Sequence, residues 1–257
     1  MSERTREDAL LTGRRELIEG FFEMRLRAPR IAARTQPGQF VFLRVGKTTA
    51  PLLRRPVSIC GVDAARGEIT LLYKVVGAGT ALMAQLPAGQ AVDCMGPIGA
   101  PFPLEGGARP LVIAGGMGIA PLALLVKRLD EGGARPALYY GVEDRAHAFL
   151  LEELRAHSDL ALVPRNEMGL VTERLPRGAG YTMAYACGPL PMLKAAAAWA
   201  ARERLPGYVS LEERMGCGIG ACSGCAFPLK DGKGGVTYKK VCVDGPVFPM
   251  GEVIFDG

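Results

Sequence analysis

The chain has 257 residues, 49% of them hydrophobic, which is ample for packed cores and allows one large domain or two to three small ones. The formal net charge is only +5, no lysine or arginine run is long, and the 7% of aromatic residues are not interleaved with basic ones, which argues against a nucleic-acid grip. Residues 1–8 are polar and lack the apolar centre of a secretory signal, and the longest apolar run, 111–126, is shorter than the roughly 20 residues of a spanning helix and is broken by three glycines and Pro121.

From Glu16 to Leu104 the sequence reads as short strands cut by turns: 16–26, 39–45, 56–62, 68–75 and 91–95. Several alternate apolar and polar residues, with Gly or Pro in the gaps, which predicts a small antiparallel β-barrel. Within it, Arg55-Pro56-Val57-Ser58 places a guanidinium and, three residues on, a hydroxyl on one strand. That pairing offers a phosphate fork and a small donor beside a flat ring. Val75-Val76-Gly77-Ala78-Gly79-Thr80 then ends a strand and opens a helix over 80–86, whose amides behind glycines suit a pyrophosphate. Taken singly, each motif is equally well a turn or surface decoration.

Arg109-Pro110 introduces a second unit. Leu111-Val112-Ile113-Ala114 is a wholly apolar strand, Gly115-Gly116-Met117-Gly118-Ile119-Ala120-Pro121 turns, and a helix follows over 122–129. A buried parallel strand, a glycine turn and a helix start make dinucleotide geometry, although the strict G-x-G-x-x-G is absent. Strands at 137–142, 160–163 and 181–186 and helices at 146–156 and 192–204 extend the pattern to an α/β parallel sheet. Glu143 and Asp144 stand just past a strand end, where a carboxylate accepts from a ribose 2′-hydroxyl and repels a 2′-phosphate, favouring NADH over NADPH. A solvated acidic loop explains either residue alone, and Arg145 beside them works against the preference. Cys187-Gly188-Pro189 forms another turn at a strand end. Cys60 and Cys94 read as buried small apolar residues, and His147 and His157 as structural.

After Leu205-Pro206-Gly207 the chain becomes compact and glycine-rich. Cys217, Cys222, Cys225 and Cys242 are separated by four, two and sixteen residues, the plant-type spacing of a 2Fe-2S cluster. Gly216, Gly218, Gly220 and Gly224 let the backbone fold closely around an inorganic core. A structural zinc site or disulfides are the alternatives, but zinc ribbons usually carry two C-x-x-C knuckles and here there is one. A strand at 226–229, a turn at 231–235 and a strand at 236–243 carrying Cys242 complete the segment. Seven cysteines, four of them assigned to metal, indicate a reducing compartment, with the cytoplasm as default.

Arg-Pro-Val-Ser, Leu-Tyr-Lys and Gly-Thr together resemble the flavin site of the ferredoxin-NADP reductase superfamily. The cysteine loop and the ending Val241-Cys242-Val243-Asp244-Gly245-Pro246-Val247-Phe248 resemble the branch that holds the electron-transfer subunits of type B dihydroorotate dehydrogenases. The resemblance spans nearly the whole length. It implies an FAD-binding barrel at 1–104, an NAD-binding α/β domain at 105–206 and a 2Fe-2S domain at 207–257. Arg55, Pro56, Val57, Ser58, Leu72, Tyr73, Lys74, Gly79 and Thr80 would meet FAD, with Ser58 near the flavin N5. Gly115, Gly116, Gly118, Ala120, Pro121, Glu143, Asp144, Cys187, Gly188 and Pro189 would meet NAD. Two departures stand out: Val57 occupies the usual Tyr position of the superfamily, and Cys217 replaces the Asp found in related reductase subunits of flavin-bifurcating transhydrogenases.

NADH gives two electrons as a hydride, a 2Fe-2S cluster accepts one, and a flavin bridges the two modes. With three cofactor regions accounted for, no residues remain for an organic substrate site, so a second protein is required. The resemblance supplies an FMN-containing dehydrogenase subunit, in a two-plus-two heterotetramer. The small cluster domain and the apolar tail 247–255 are expected to form that interface. Other readings are an NAD(P)H-ferredoxin reductase-type subunit, a sulfur or hydrogenase diaphorase subunit, or a redox sensor or structural metal protein without turnover.

Overall fold

The structure, a computed structural model, describes residues 4–46, 50–105 and 107–255. Strands β1 (Thr5–Ile18) and β2 (Phe21–Arg27) form an antiparallel hairpin whose turn holds Gly20 at φ 76°. The sequence reads as one strand over 16–26, because apolar pairs on either side of Glu19-Gly20 mask the turn. Glycine adopts that left-handed φ at little cost, and the hairpin runs back to Thr5. A short helix α1 (Pro29–Ala32) follows, then β3 (Phe40–Arg44), β4 (Arg55–Asp63), β5 (Glu68–Lys74), helix α2 (Ala78–Met83) and β6 (Ala91–Ile98). The six strands close in the order β1-β2-β5-β4-β3-β6, which leaves no open sheet edge. Met24, Leu26, Val41, Leu43, Ile59 and Leu71 fill the interior. Asp93 on β6 pins the wall, accepting from Arg54 at 2.6 Å and Arg6 at 2.9 Å.

The connection to the second unit is anchored: Phe102 meets Tyr185 edge-on at 5.7 Å, and the Tyr185 hydroxyl donates to the Pro103 carbonyl at 2.8 Å. Strand β7 (Pro110–Gly115) is buried at every residue, as a central parallel strand requires. A 3-10 turn at Gly116–Gly118 leads into α3 (Ile119–Glu131), β8 (Ala137–Val142), α4 (Leu151–His157), β9 (Asp159–Pro164), α5 (Arg165–Met168), β10 (Met183–Cys187) and α6 (Leu190–Arg202). The helix expected over 146–156 is split. A 3-10 turn occupies Arg145–His147, and Leu150 at φ 59° breaks the chain before α4.

The third segment contributes β11 (Gly207–Ser210), the ribbon strands β12 (Ala226–Lys230) and β13 (Val236–Lys240), and β14 (Val247–Pro249). Strand β11 runs parallel to β10, and β14 pairs antiparallel with β11, giving a six-stranded sheet in the order β14-β11-β10-β7-β8-β9. Residues 207–210 and 247–249 are thus strands of the central sheet, and only the stretch between them, with the ribbon, lies outside that sheet. The tail expected to be an apolar docking face is already used: Val247, Phe248, Met250 and Val253 are all buried. Strand β13 stops at Lys240, so Cys242 sits in a turn, where the Asp244 carboxylate accepts from the Lys240 amide at 2.7 Å.

Two apolar clusters, separate from the barrel interior, join barrel and sheet. Phe21, Cys60 and Leu72 of the barrel pack with Ile119, Leu122 and Ala123 of α3, and Phe40 and Phe42 pack with Leu211, Cys225 and Cys242. Cys60 and Cys94 are buried, and burial raises both thiols. His147 and His157 each meet a carboxylate, Asp144 at 2.8 Å and Asp130 at 2.9 Å.

Candidate functional site

A cleft of ≈350 Å³ opens where the three segments meet. Its barrel wall is Phe40, Pro56, Val57, Ser58, Leu72, Tyr73 and Lys74, continued by Val76 and Thr80. Met117 in the 3-10 turn and Ala120 at the start of α3 form the far wall, and Ser210, Leu211, Glu212, Glu213, Met215 and Pro246 form the third side. Seven of the nine residues expected at the flavin therefore line one cavity. The other two, Arg55 and Gly79, touch each other: a Cβ on Gly79 would lie 1.9 Å from Arg55 Nε. Arg55 also donates to the Leu53 carbonyl, so its guanidinium is laid across the glycine by backbone contacts.

Thr80 uses its hydroxyl locally, accepting from the Val76 amide at 2.9 Å and the Gly77 amide at 3.2 Å. This shapes the turn into α2. Tyr73 stacks on Phe22 at 5.6 Å, and its buried hydroxyl has no hydrogen-bond partner among the described residues. Glu212 opens into the cleft, where desolvation raises its carboxyl above the ordinary range. Phe40, Met117, Glu212 and Met215 were not legible in the sequence as site residues, since no local pattern marks them.

The glycine turn after β7 and the turn after β10 interlock at adjacent strand ends. A Cβ on Gly118 would lie 2.2 Å from the Cys187 carbonyl oxygen, and one on Gly188 would lie 3.0 Å from Gly115 Cα. Gly115 and Gly118 are thus brought against Cys187, Gly188 and Pro189, whereas the Cβ position of Gly116 faces open space, Ala120 lines the cleft and Pro121 is buried in the first turn of α3. Strand β7 has β10 on one side and β8 on the other, which is the topological switch point where open α/β sheets bind ligands. Cys187 is fully buried and its thiol is pushed up by desolvation. Glu143 and Asp144 lie on the other side of β7, past the end of β8. Glu143 faces Arg165 at 3.5 Å, whereas Asp144 accepts from the Ala146 amide at 2.9 Å and caps its own turn.

Met215 ends the cleft wall and Cys217 follows two residues later, a Cα span of about 7 Å at most. The cysteine loop packs on the barrel through Gly218, at φ 69°, whose Cβ position would lie 2.8 Å from the Phe42 ring. Amides of Ile219 and Cys222 both donate to Cys217 Sγ at 3.4 Å. These amides, with those of neighbouring residues, lower its thiol to about 6, so it is poised as a thiolate. The thiols fall in two pairs, Cys217 beside Cys222 and Cys225 beside Cys242, the latter two buried. Among the described residues no three His, Cys, Asp or Glu side chains converge on one point, so the loop presents two pairs. Two thiolates per iron is the donor set a 2Fe-2S cluster needs, and the inward amides suit its sulfides. Lys240 Nζ donates to the Gly220 carbonyl at 2.6 Å and fastens the loop to the ribbon.

A closed barrel, a parallel sheet with its switch point at the shared cleft, and a four-cysteine loop against both define a flavin and iron–sulfur oxidoreductase of the ferredoxin reductase fold. Residues 19–102 match the oxidoreductase FAD-binding domain, and 212–254 match the iron–sulfur cluster binding domain of dihydroorotate dehydrogenase B. The dihydroorotate dehydrogenase B (NAD(+)) electron transfer subunit of Bacillus caldolyticus is 40% identical over 97% of this chain and 98% of its own length. That of Bacillus cereus (strain B4264) is 38% identical over the same shares, 97% and 98%. The solved structure of an NADH-dependent reduced ferredoxin-NADP oxidoreductase superposes with a TM-score of 0.86 at 26% identity, covering 97% of this chain and 91% of that one. The chain belongs to the family of dihydroorotate dehydrogenase B electron transfer subunits.

Among the described residues no helix is long and apolar enough to cross a membrane.

Proposed function

We propose that this chain is the electron-transfer subunit of an NAD-dependent dihydroorotate dehydrogenase. In that role it carries electrons from the FMN of a catalytic partner subunit, by way of a 2Fe-2S cluster and FAD, to NAD in pyrimidine synthesis. The complex is a heterotetramer of two plus two in the cytoplasm. One observation carries the reading: the cleft wall runs through Met215 directly into the cysteine loop, so a cofactor in the cleft lies beside the cluster ligands.

Bound FAD would supply the chemistry of collecting electrons singly from the cluster side and passing them on as a hydride to NAD, which no side chain here can do. The protein's part is binding, alignment and exclusion of water. Arg55, held over Gly79, takes a phosphate charge, with Thr80 shaping the turn beside it. Pro56, Val57 and Ser58 on one strand and Leu72, Tyr73 and Lys74 on the next hold the ring system, and the Ser58 hydroxyl offers a donor in the cleft. Phe40, Leu211 and Met215 close the site from bulk water. The interlocked turns Gly115 to Pro121 and Cys187 to Pro189 take the nicotinamide dinucleotide opposite. Glu143 and Asp144 accept from its ribose, Asp144 through the carboxylate oxygen that its own turn leaves over. Cys217, Cys222, Cys225 and Cys242 hold the irons.

The test is co-expression with the dehydrogenase subunit, gel filtration, and rapid-mixing reduction of the flavin by NADH and by NADPH. A stable complex whose flavin is reduced faster by NADH is expected. Separate elution of the two chains, or a strong NADPH preference, counts against the reading and favours a ferredoxin reductase-type role.

A further inference from the structure

Phe21 opens β2 on the barrel, yet its ring is buried against side chains from three places. The His147 ring meets it edge-on at 5.4 Å, the Phe149 ring packs at 5.2 Å, and Lys74 Nζ stands 4.9 Å above its centroid. Lys74 is the register partner of Phe21 across β2 and β5, and it lines the cleft. Among the described residues no carboxylate pairs with Lys74, so the aromatic face is what restrains its ammonium group. His147 and Phe149 belong to the loop after β8. In that loop the His147 Nδ1 meets Asp144 at 2.8 Å, the Tyr140 hydroxyl donates to the His147 carbonyl at 3.4 Å, and the Phe149 amide donates to the Tyr140 oxygen at 3.4 Å. The loop is therefore braced internally and meets the barrel at the Phe21 ring.

We infer that Phe21 is a positioning residue for the nicotinamide dinucleotide, fixing the loop that follows β8 and the cleft lysine Lys74 in one mutual geometry. The inference rests on the reading that a dinucleotide spans the β7 switch point between this loop and the cleft. A dinucleotide held at the loop and reaching toward the flavin ring that Lys74 helps to hold meets two elements whose spacing is preset by Phe21, so its ordering cost is lower than if loop and lysine moved independently. Removing the ring while keeping an apolar residue releases both ends at once. A merely space-filling role for Phe21 predicts instead that leucine serves nearly as well.

The experiment uses the flavin- and iron-loaded full chain and measures NAD+ binding by calorimetry, with flavin and iron per chain as controls. Phe21→Leu is expected to raise the NAD+ dissociation constant about three- to five-fold, and Phe21→Tyr to restore it. Amides 146–149 should exchange hydrogen faster in Phe21→Leu. In a Lys74→Met background the same leucine substitution should have a smaller effect, since the two act through each other. Should Phe21→Leu come without flavin, His147→Leu removes the edge contact from the loop side and is expected to give a similar rise. Unchanged affinity in these variants, or equal increments in both backgrounds, overturns the inference alone. A parent protein that does not bind NAD+ overturns the reading of the site and the inference with it.

Discussion

Gly218 lies flat on the ring of Phe42, and no side chain fits between them: a Cβ would come 2.8 Å from Cε2. The cysteine loop is thus seated on the barrel wall, at a glycine whose φ of 69° already disfavours any other residue. Phe42 is fully buried, so the ring cannot swing aside. Gly218→Ala is expected to cost about 1–3 kcal/mol locally and to lift the loop. Iron per chain should fall while flavin per chain holds, read by metal analysis and by the visible spectrum.

Cys225 and Cys242 are the buried pair, so replacing one removes a ligand that no solvent-side group can supply. In Cys225→Ala the cluster absorbance and iron should be lost. Reduction of bound flavin by NADH should persist, because that step does not use the cysteine loop, while electron delivery to or from the partner subunit should drop by orders of magnitude. Rapid mixing with each electron source separates the two.

Gly79 cannot carry a methyl group without displacing Arg55, whose Nε would lie 1.9 Å from it. Gly79→Ala is therefore expected to weaken FAD binding about ten-fold or more, the order of losing one charge-assisted hydrogen bond. Arg55→Met should give a similar loss, and the double variant should be little worse than either. Fluorescence titration of deflavinated protein checks all three.

Asp93 offers a pH test. Burial pushes its carboxyl up, but hydrogen bonds from Arg54 and Arg6 outweigh this and hold it at about 2, below an ordinary value of 3.8. A depressed folded pKa adds stability that is present above about pH 4 and is lost as pH falls toward 2. With screening of the exposed Arg6, about 1–2 kcal/mol is at stake. The gap in urea midpoint between the parent protein and Asp93→Asn should be full at neutral pH and narrow as pH drops from 4 to 2.

Local chemistry was legible in the sequence and long-range pairing was not. The cysteine spacing stands on its own because three ligands share one short loop. The barrel strands showed through their alternation, and the apolar run at 111–114 marked a central parallel strand. The turn at Gly20 was hidden because the apolar pairs Leu17-Ile18 and Phe21-Phe22 flank Glu19-Gly20 so closely that the stretch reads as one strand. The break at Leu150 was hidden because nothing in a leucine announces a left-handed φ. Met117, Glu212 and Met215 reach the cleft only because α3 and the segment after β11 fold against the barrel. Asp144 reads as a ribose ligand, and what the sequence hides is that its Oδ1 also caps the turn that follows through the Ala146 and His147 amides.

The return of the chain as β14 beside β11 means that the iron-bearing stretch is a handle with both ends soldered to the same sheet edge. It is not a pendant that can be trimmed off. A nick inside it would leave the final strand seated and both fragments together, whereas deleting everything after β11 would strip the sheet of its last strand and uncover Val209 beneath.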